Sequence, residues 1–229
     1  MSRLDTGYLT LTIAPTTACN FKCVYCYESG IAPLSAKAKL NLLEDTISFV
    51  NLFKNTKFLR VTWYGGEHLL QFEYIEKLSH RLMNMFENYN AHMITNAYLL
   101  DKAKSQKLKE LKISAIQVTI DGLEKVHNER RPHKQNNDSF QRIVHNLDDL
   151  FSVYPDISIE FRVNVDKSNQ SEYHRIYSYL KERYGKYSIN IHPGYVTDDF
   201  SAESNGCCFE ADEVNKFVLE QYDTQIGRA

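Results

Sequence analysis

The chain has 229 residues, of which 43% are hydrophobic and 24% are charged, and its formal net charge is −2. These values are ordinary for a soluble globular protein and give no support for a nucleic-acid or membrane partner held by bulk electrostatics. No stretch approaches the roughly 18 consecutive apolar residues of a membrane-spanning helix, and the first residues lack a signal-peptide pattern. Five cysteines, an odd number, argue against a secreted disulfide framework, so we expect a cytoplasmic protein.

Apolar and β-branched runs alternate with amphipathic helical patterns along the chain. The predicted strands are 8–14, 58–64, 91–94, 115–120, 157–165 and 188–196. The predicted helices are 35–53, 72–88, 101–111, 139–153, 170–184 and 211–221, with Ser35, Asp101 and Ser139 as capping residues. The polar segment 124–138 is predicted to form a loop.

This alternation predicts βαβ units and a parallel sheet. Six repeats are too few for a closed eight-fold barrel. We therefore expect an α/β fold, a six-stranded parallel (β/α)6 partial barrel, over residues 1–196. A linker and a short C-terminal helical extension are expected over residues 197–229.

The unusual residues of the sequence follow the predicted strands. Cysteines follow the first strand, Gly-Gly-Glu the second, Thr-Asn the third and Asp-Gly the fourth. Active-site residues of parallel α/β sheets and barrels gather at the carboxyl ends of the strands. We therefore expect these four segments to build the functional site.

Three of the five cysteines, Cys19, Cys23 and Cys26, have the spacing C-x3-C-x2-C. Thiolates this close together can converge on one soft metal centre, and iron–sulfur clusters are commonly held by such residues. Three ligands leave one iron of a cubane open. A structural zinc site is the alternative, but it normally needs a fourth Cys or His at short spacing, and the nearest downstream histidine is His68.

The cysteine spacing, together with the aromatic Tyr25 before the last cysteine, resembles the signature of the radical S-adenosylmethionine (SAM) superfamily. The resemblance implies that Cys19, Cys23 and Cys26 hold a [4Fe–4S] cluster and that SAM binds its open iron. An electron from a reductant such as flavodoxin or ferredoxin would then cleave SAM to a 5′-deoxyadenosyl radical, which abstracts hydrogen from a substrate. No catalytic side chain beyond the cluster and SAM is predicted.

Gly65-Gly66-Glu67 resembles the GGE motif of this family, whose backbone and carboxylate receive the SAM amino group. Glycines let a backbone approach a ligand closely, and a carboxylate accepts hydrogen bonds from an ammonium. The family usually continues with proline, where this chain has His68, which we interpret as a tolerated variant rather than a ligand. Asn96 lies where many relatives carry Thr-Asn-Gly, and it either faces SAM or simply ends a strand.

The segment 119–131 resembles Ser-Ile-Asp-Gly…His-Asp…Arg of peptide- and protein-modifying members, notably anaerobic sulfatase-maturating enzymes. The resemblance implies that Thr119 bonds the SAM carboxylate and that Arg131 clamps a carboxylate or the substrate. It also implies that Arg162 and Asn164 point into the barrel and contact SAM. The alternatives are that Arg130 and Arg131 are solvated loop charges and that Arg162 faces solvent.

The C-terminal end is where the resemblance stops. The relatives carry a further cysteine-rich module, called SPASM or twitch, that binds auxiliary clusters, whereas only Cys207 and Cys208 follow the core here. These two either begin a truncated auxiliary module or are plain cysteines. By analogy with the relatives, a peptide or protein side chain is the expected substrate. A small-metabolite enzyme and a catalytically incomplete iron–sulfur fragment are the alternatives.

Overall fold

The computed structural model describes residues 7–28, 30–32, 36–53, 55–196 and 207–226, with residues 36–40 and 222–226 described by their backbone alone. The predicted cap at Ser35 and most of the predicted linker, including its boundary at residue 197, lie outside the described residues. The predicted division of the chain at that boundary therefore stays a prediction.

Strands and helices alternate along the described chain. The strands are β1 (Tyr8–Ile13), β2 (Phe58–Trp63), β3 (Asn88–Thr95), β4 (Ile113–Thr119), β5 (Ser158–Val165) and β6 (Ile189–Tyr195). The helices are α1 (Ala36–Asn51), α2 (Phe72–Met85), α3 (Lys102–Glu110), α4 (Glu124–Arg130), α5 (Ser139–Val153), α6 (Tyr173–Tyr184) and α7 (Ala211–Ile226). Short 3₁₀ helices at His68–Gln71 and Gln170–Glu172 precede α2 and α6.

The six strands form one open parallel sheet in the order β1-β2-β3-β4-β5-β6. The first three strands start level with one another, since Tyr8 lies opposite Phe58 and Phe58 lies opposite Asn88. Sequential strand order with a helix between consecutive strands is the arrangement of a partial barrel. The expected α/β fold is therefore confirmed. No helix in the described residues is long and apolar enough to cross a membrane.

The chain divides into two compact units. Unit one comprises Met1–Asn20, Gly30–Val118 and Ile143–Ile159, and unit two comprises Phe21–Ser29, Thr119–Arg142 and Glu160–Ala229.

The core of unit one lies on one face of β2 and β3. Alternate residues of each strand are buried there, as the two-residue period of a strand requires. They are Leu59, Val61, Trp63, Tyr89, Ala91 and Met93. Three apolar residues on one face of α2, Ile75, Leu78 and Leu82, are fully buried, and each such side chain contributes about 1.5–3 kcal/mol when buried. Tyr74 of α2 meets Trp63 edge-on, with ring centroids 6.4 Å apart.

In unit two, the helix-facing side of β5 is apolar. Phe161 and Val163 are fully buried, and the Phe161 ring stacks on Tyr184 of α6 at 5.8 Å. Because side chains alternate along a strand, Arg162 and Asn164 point away from α6. In α7, Phe217 packs against aromatic rings that include Tyr173.

Two of the differences between the predicted elements and the structure have a clear physical cause. The segment predicted as a loop over residues 124–138 begins with the helix α4, which has no apolar stripe because it buries His127 and Arg130 instead. Strand β3 begins three residues before the predicted 91, because parallel pairing with β2 extends through Asn88 and Asn90 despite the low strand propensity of asparagine. The capping role of Asp101 is confirmed, since its carboxylate accepts from the Lys104 N–H at 2.9 Å.

Candidate cofactor site

In unit one, the Gly65-Gly66 turn packs directly on the backbone that leads to Cys19. The Gly66 N–H donates to the Thr16 carbonyl at 3.2 Å, and the Glu67 N–H donates to the Ala18 carbonyl at 2.8 Å. A Cβ atom on Gly66 would lie 2.5 Å from the carbonyl oxygens of both Thr17 and Ala18. Glycine is therefore required for the two strand-end segments to touch.

Gly65 is constrained in a second way. Its φ is +110°, a conformation that L side chains rarely adopt, and its Cβ would lie 2.5 Å from the Thr16 carbonyl oxygen. Backbone shape and close approach together require the pair of glycines.

The Glu67 carboxylate is fully buried and ties this turn to the end of β3. It accepts from the Leu69 N–H at 3.1 Å, from the Thr95 hydroxyl at 2.8 Å and from the Asn96 N–H at 2.8 Å. Groups of the chain thus already occupy both carboxylate oxygens. The expected contact of this carboxylate with the SAM amino group stays a prediction, and the geometry gives Glu67 a clear positioning role in addition.

Asn96 lies beside the first cysteine. Its side-chain amide donates to Asn20 Oδ1 at 2.8 Å and lies 3.9 Å from the Cys19 sulfur, while its Oδ1 accepts from the Tyr98 N–H at 3.0 Å. The next residue, Ala97, has a φ of +59°, which explains why glycine suits this position in relatives. Thr95 is the last residue of β3, so the segment both ends a strand and faces the cysteine loop.

A buried amide that the sequence did not single out holds this loop. Asn146 of α5 donates to the carbonyls of Ala97 and Tyr98, both at 2.8 Å. Its signal in the sequence is an asparagine at a core position of an amphipathic helix, between the buried Ile143 and Leu150. A buried polar side chain at such a position is expected to have a specific partner.

His68 is fully buried, and burial lowers its pKa to about 3, so the ring is neutral. Neither ring nitrogen has a hydrogen-bond partner among the described residues. The interpretation of His68 as a tolerated variant rather than a ligand stays a prediction.

In unit two, residues 130–133 form an edge against the loop that carries Cys23. The Lys22 N–H donates to the Pro132 carbonyl at 2.9 Å, and the Val24 N–H donates to the Arg130 carbonyl at 3.0 Å. An antiparallel bridge joins Phe21 to His133. The backbone on both sides of Cys23 is therefore fixed.

A network of buried charges lies under this edge. Asp121 is fully buried, and Arg130 Nε lies 3.6 Å from its Oδ2. Arg130 Nη1 also lies 2.8 Å from Asp166 Oδ2 and donates to Ser168 Oγ at 2.9 Å. Burial raises the pKa of Asp121, and the charges of Arg131 and Arg130 oppose that shift. Each charge in this network has an opposite charge within reach, as burial requires.

Arg131 lies at the hydroxyl of Tyr25. Its Nη1 donates to the Tyr25 oxygen at 2.7 Å, and the Tyr25 hydroxyl donates to Asp121 Oδ2. Burial disfavours the charged form of Arg131, but Cys23, Tyr25 and Asp121 together raise its pKa. Arg131 is therefore a cation. Arg130 and Arg131 are each only 7% exposed, so the alternative that they are solvated loop charges is wrong.

The remaining motif residues of this segment organise the backbone. His127 Nδ1 accepts from the Asp121 N–H at 3.3 Å, and burial, with the charge of Arg131, lowers its pKa well below the usual value. Asn128 Oδ1 accepts from the Ser139 hydroxyl at 2.8 Å and from the Phe140 N–H at 2.9 Å, at the start of α5. The Asn128 side chain thus satisfies an N–H group at the helix start.

Arg162 and Asn164 lie together over β6. Arg162 Nε donates to Asn164 Oδ1 at 2.8 Å, and a Cβ atom on Gly194 would lie 2.4 Å from Arg162 Nε. Gly194 therefore leaves the space that the guanidinium occupies. Thr119, the fourth predicted cofactor residue of unit two, is buried at the end of β4.

The comparison with protein families decides the identity of the chain. A family model described as the radical SAM superfamily matches residues 13–180. The chain belongs to the radical SAM superfamily. Members of this superfamily use a [4Fe–4S] cluster and SAM. The resemblance inferred from the cysteine spacing is confirmed.

Curated relatives include two GTP 3′,8-cyclases and an Fe-coproporphyrin III synthase. The cyclase of Sulfurimonas denitrificans is 35% identical over 49% of this chain and 35% of its own length. The cyclase of Aliarcobacter butzleri is 23% identical over 93% of this chain and 62% of its own length. The synthase of Methanosarcina barkeri is 26% identical over 73% of this chain and 39% of its own length. The chain thus spans less than two thirds of these relatives.

Among solved structures, the anaerobic sulfatase-maturating enzyme anSMEcpe with bound SAM and a peptide matches with a TM-score of 0.76. The match is 22% identical and covers 95% of this chain and 60% of that protein. The hydrogenase maturase HydG from Carboxydothermus hydrogenoformans matches at 14% identity with a TM-score of 0.65, over 96% of this chain and 52% of that protein. At these identities the matches show the radical SAM fold alone.

The chemistry of the cysteines fits the cluster of this superfamily. Cys19, Cys23 and Cys26 are reduced thiols outside any disulfide bond, and all three are partly exposed. Within the described part of the chain, no three His, Cys, Asp or Glu side chains are grouped closely enough to hold a metal ion. The assignment of the three cysteines as ligands therefore rests on their spacing and on their reduced state. Cys207 and Cys208 are also outside any disulfide bond, and Cys208 is buried.

Gly194→Ala offers a mild test of the proposed SAM contact of Arg162. The new methyl group would meet the side-chain ends of Arg162 and Asn164 rather than backbone, so we expect the fold to persist while these two side chains move. Loss of a charge-assisted hydrogen bond should weaken SAM binding about tenfold or more. Anaerobic titration calorimetry measures this, with Asn190→Ala, an exposed position on β6, as the control. Unchanged SAM affinity in Gly194→Ala would contradict a role for Arg162.

Proposed function

We propose that this chain is a radical SAM enzyme whose cluster ligands are Cys19, Cys23 and Cys26. The observation that carries the proposal is the bracing of Cys19 in unit one. The Gly65-Gly66 turn packs on the residues before this cysteine, and Asn96 lies beside it. Segments from three strand ends thus meet at a motif cysteine, and the carboxyl ends of parallel strands are where ligands bind in such folds.

The resemblance to relatives is the basis for eight proposed SAM-binding residues. They are Gly65, Gly66, Glu67, Asn96, Thr119, Arg131, Arg162 and Asn164. Backbone groups at glycines can approach the amino group of the ligand closely. The arginine guanidinium groups match a carboxylate in geometry and charge. The chain would therefore bind the two ends of the methionine moiety with groups of opposite character.

Cys19, Cys23 and Cys26 would hold the cluster, which when reduced would supply the electron for cleavage of SAM to a 5′-deoxyadenosyl radical and so for hydrogen abstraction from the substrate. The chain itself binds and orients these groups. Radical SAM enzymes need a reductant, for which flavodoxin or ferredoxin is our proposal. An oxygen-sensitive cluster also favours a reducing compartment, so we propose the cytoplasm.

A peptide or protein side chain is the substrate that we propose. The segment from Thr119 to Arg131 supports it, because the segment resembles that of peptide- and protein-modifying members. The similarity of fold to anSMEcpe, which was crystallised with a peptide, is consistent with it. A small metabolite is the second candidate, favoured by the sequence similarity to GTP 3′,8-cyclases and to Fe-coproporphyrin III synthase. A catalytically incomplete iron–sulfur fragment is the third candidate.

Anaerobic reconstitution with iron and sulfide tests the proposal. We expect about four irons per chain and a reduced-state EPR signal that SAM perturbs, because an open iron is the binding site of SAM. The triple variant Cys19→Ala, Cys23→Ala, Cys26→Ala should lose both. Iron content no higher than that of the variant would refute the proposal that the chain is a radical SAM enzyme. About eight irons would reveal an auxiliary cluster and implicate Cys207 and Cys208.

Formation of 5′-deoxyadenosine separates the remaining candidates. Turnover of SAM by the reconstituted protein would exclude an incomplete fragment. Stimulation of that turnover by a peptide, with none by GTP or a coproporphyrin, would support the peptide substrate. The opposite pattern would support a small metabolite.

A further inference from the structure

Tyr25 is the aromatic residue of the cysteine motif, but its hydroxyl also makes contacts that a phenylalanine could not make. The oxygen accepts from Arg131 Nη1 at 2.7 Å, and the hydroxyl donates to Asp121 Oδ2. The hydroxyl therefore serves as acceptor and donor at once, which only a phenolic O–H can do at this position.

The partners of this hydroxyl are themselves fixed. Asp121 Oδ1 accepts from the Asn164 N–H at 3.1 Å, and its Oδ2 faces Arg130 as well as Tyr25. The Arg130 guanidinium lies 5.2 Å from the centre of the Tyr25 ring. The ring therefore has one arginine over its face and a second, Arg131, at its hydroxyl. Such a network leaves the phenol little freedom to move.

The hydroxyl also determines where a positive charge lies. The Arg131 guanidinium lies 5.7 Å from the centre of the Phe21 ring. Arg131 also lies opposite Cys23 along the chain, because the Lys22 N–H donates to the Pro132 carbonyl and the Val24 N–H donates to the Arg130 carbonyl. Arg131 Nη1 donates to Tyr25 Oη. A cation held beside a cluster ligand favours the more negative, reduced cluster, so it raises the reduction potential.

We propose that the Tyr25 hydroxyl is a positioning group that holds Arg131 beside Cys23. The inference rests on the proposed function for its readout at the cluster. The aromatic ring alone satisfies the cysteine motif, whereas the hydroxyl links the cysteine loop to the segment from Asp121 to Arg131. Tyr25 thereby sets the charge that the cluster experiences.

The test compares Tyr25→Phe with wild type after anaerobic reconstitution. Iron analysis should show that Tyr25→Phe takes up as much iron as wild type. An EPR-monitored redox titration should show a more negative midpoint potential, because Arg131 is no longer held near Cys23. Arg131→Gln should shift the potential in the same direction. The double variant should shift it no further than Arg131→Gln alone, since both changes remove one interaction. Tyr27→Phe, at an exposed tyrosine of the same loop, should match wild type.

An unchanged potential in Tyr25→Phe would overturn the inference, and so would additive shifts in the double variant. If wild type takes up no cluster, the proposed function fails, and thermal unfolding of the apo-protein decides the inference. Tyr25→Phe should then unfold at a lower temperature than Tyr27→Phe. Equal unfolding temperatures would show that the hydrogen bonds of the Tyr25 hydroxyl to Arg131 and Asp121 do not stabilise the protein.

Discussion

Gly66→Ala is expected to destabilise the protein by about 1–3 kcal/mol, the range for overpacking of a close-packed site, and to abolish cluster binding. The new methyl carbon would lie 2.5 Å from the carbonyl oxygens of Thr17 and Ala18. Backbone atoms cannot turn aside as a flexible side chain can, so the residues before Cys19 must move. Because the proposed cluster needs the Cys19 thiol as a ligand, its displacement should prevent iron uptake.

Urea denaturation of the apo-protein and iron analysis after reconstitution measure the two effects. Gly30→Ala is the matched control, because Gly30 has a φ of +88° but open space around its Cβ position. The free energy of unfolding of Gly30→Ala should fall only by the cost of placing a side chain at positive φ, about 1–2 kcal/mol. The variant should still take up iron. Gly66 itself is not among the glycines of positive φ, so its effect would be purely steric. Normal stability and iron content in Gly66→Ala would contradict the packing described.

The fold and half of the site could be predicted because local sequence patterns determine them. The period-two burial of β2 and the stripe of α2 follow directly from their sequences. The expectation that the strand-end motifs gather also holds within unit one, where Gly66, Glu67 and Asn96 meet the cysteine loop. These motifs were visible because glycine and cysteine are uncommon residues with narrow physical roles.

The rest could not be predicted because tertiary contacts determine it. Helix α4 carries no apolar period, so its polar sequence predicts a loop until the buried partners of its histidine and arginine are known. The sequence cannot distinguish a solvated Arg130 from one that pairs with Asp121 and Asp166, which lie far apart along the chain. The sequence around Asn146 likewise does not show whether its side chain faces solvent or donates to the Ala97 carbonyl.

Arg130→Met should produce the largest loss of stability, about 3–5 kcal/mol, because it removes one partner of buried ion pairs. Arg130 lies within ion-pair distance of Asp121 and Asp166, and all three side chains are almost completely buried. Methionine retains much of the side-chain volume but leaves two carboxylates without that charge. The edge at residues 130–133 would loosen from the cysteine loop, so iron uptake should fall as well. Urea denaturation of the apo-protein measures the destabilisation.

Two further variants identify the cause of that loss. Arg81→Met breaks a surface pair with Glu44 and should change stability by about 0–1 kcal/mol, since both side chains are well exposed. Adding Asp121→Asn and Asp166→Asn to Arg130→Met removes the uncompensated charges, so the triple variant should recover part of the lost stability. If the triple variant were less stable than Arg130→Met, hydrogen bonds and packing around the carboxylates, rather than unpaired charge, would explain the loss. If Arg130→Met resembled Arg81→Met, the network would be no more than a surface interaction.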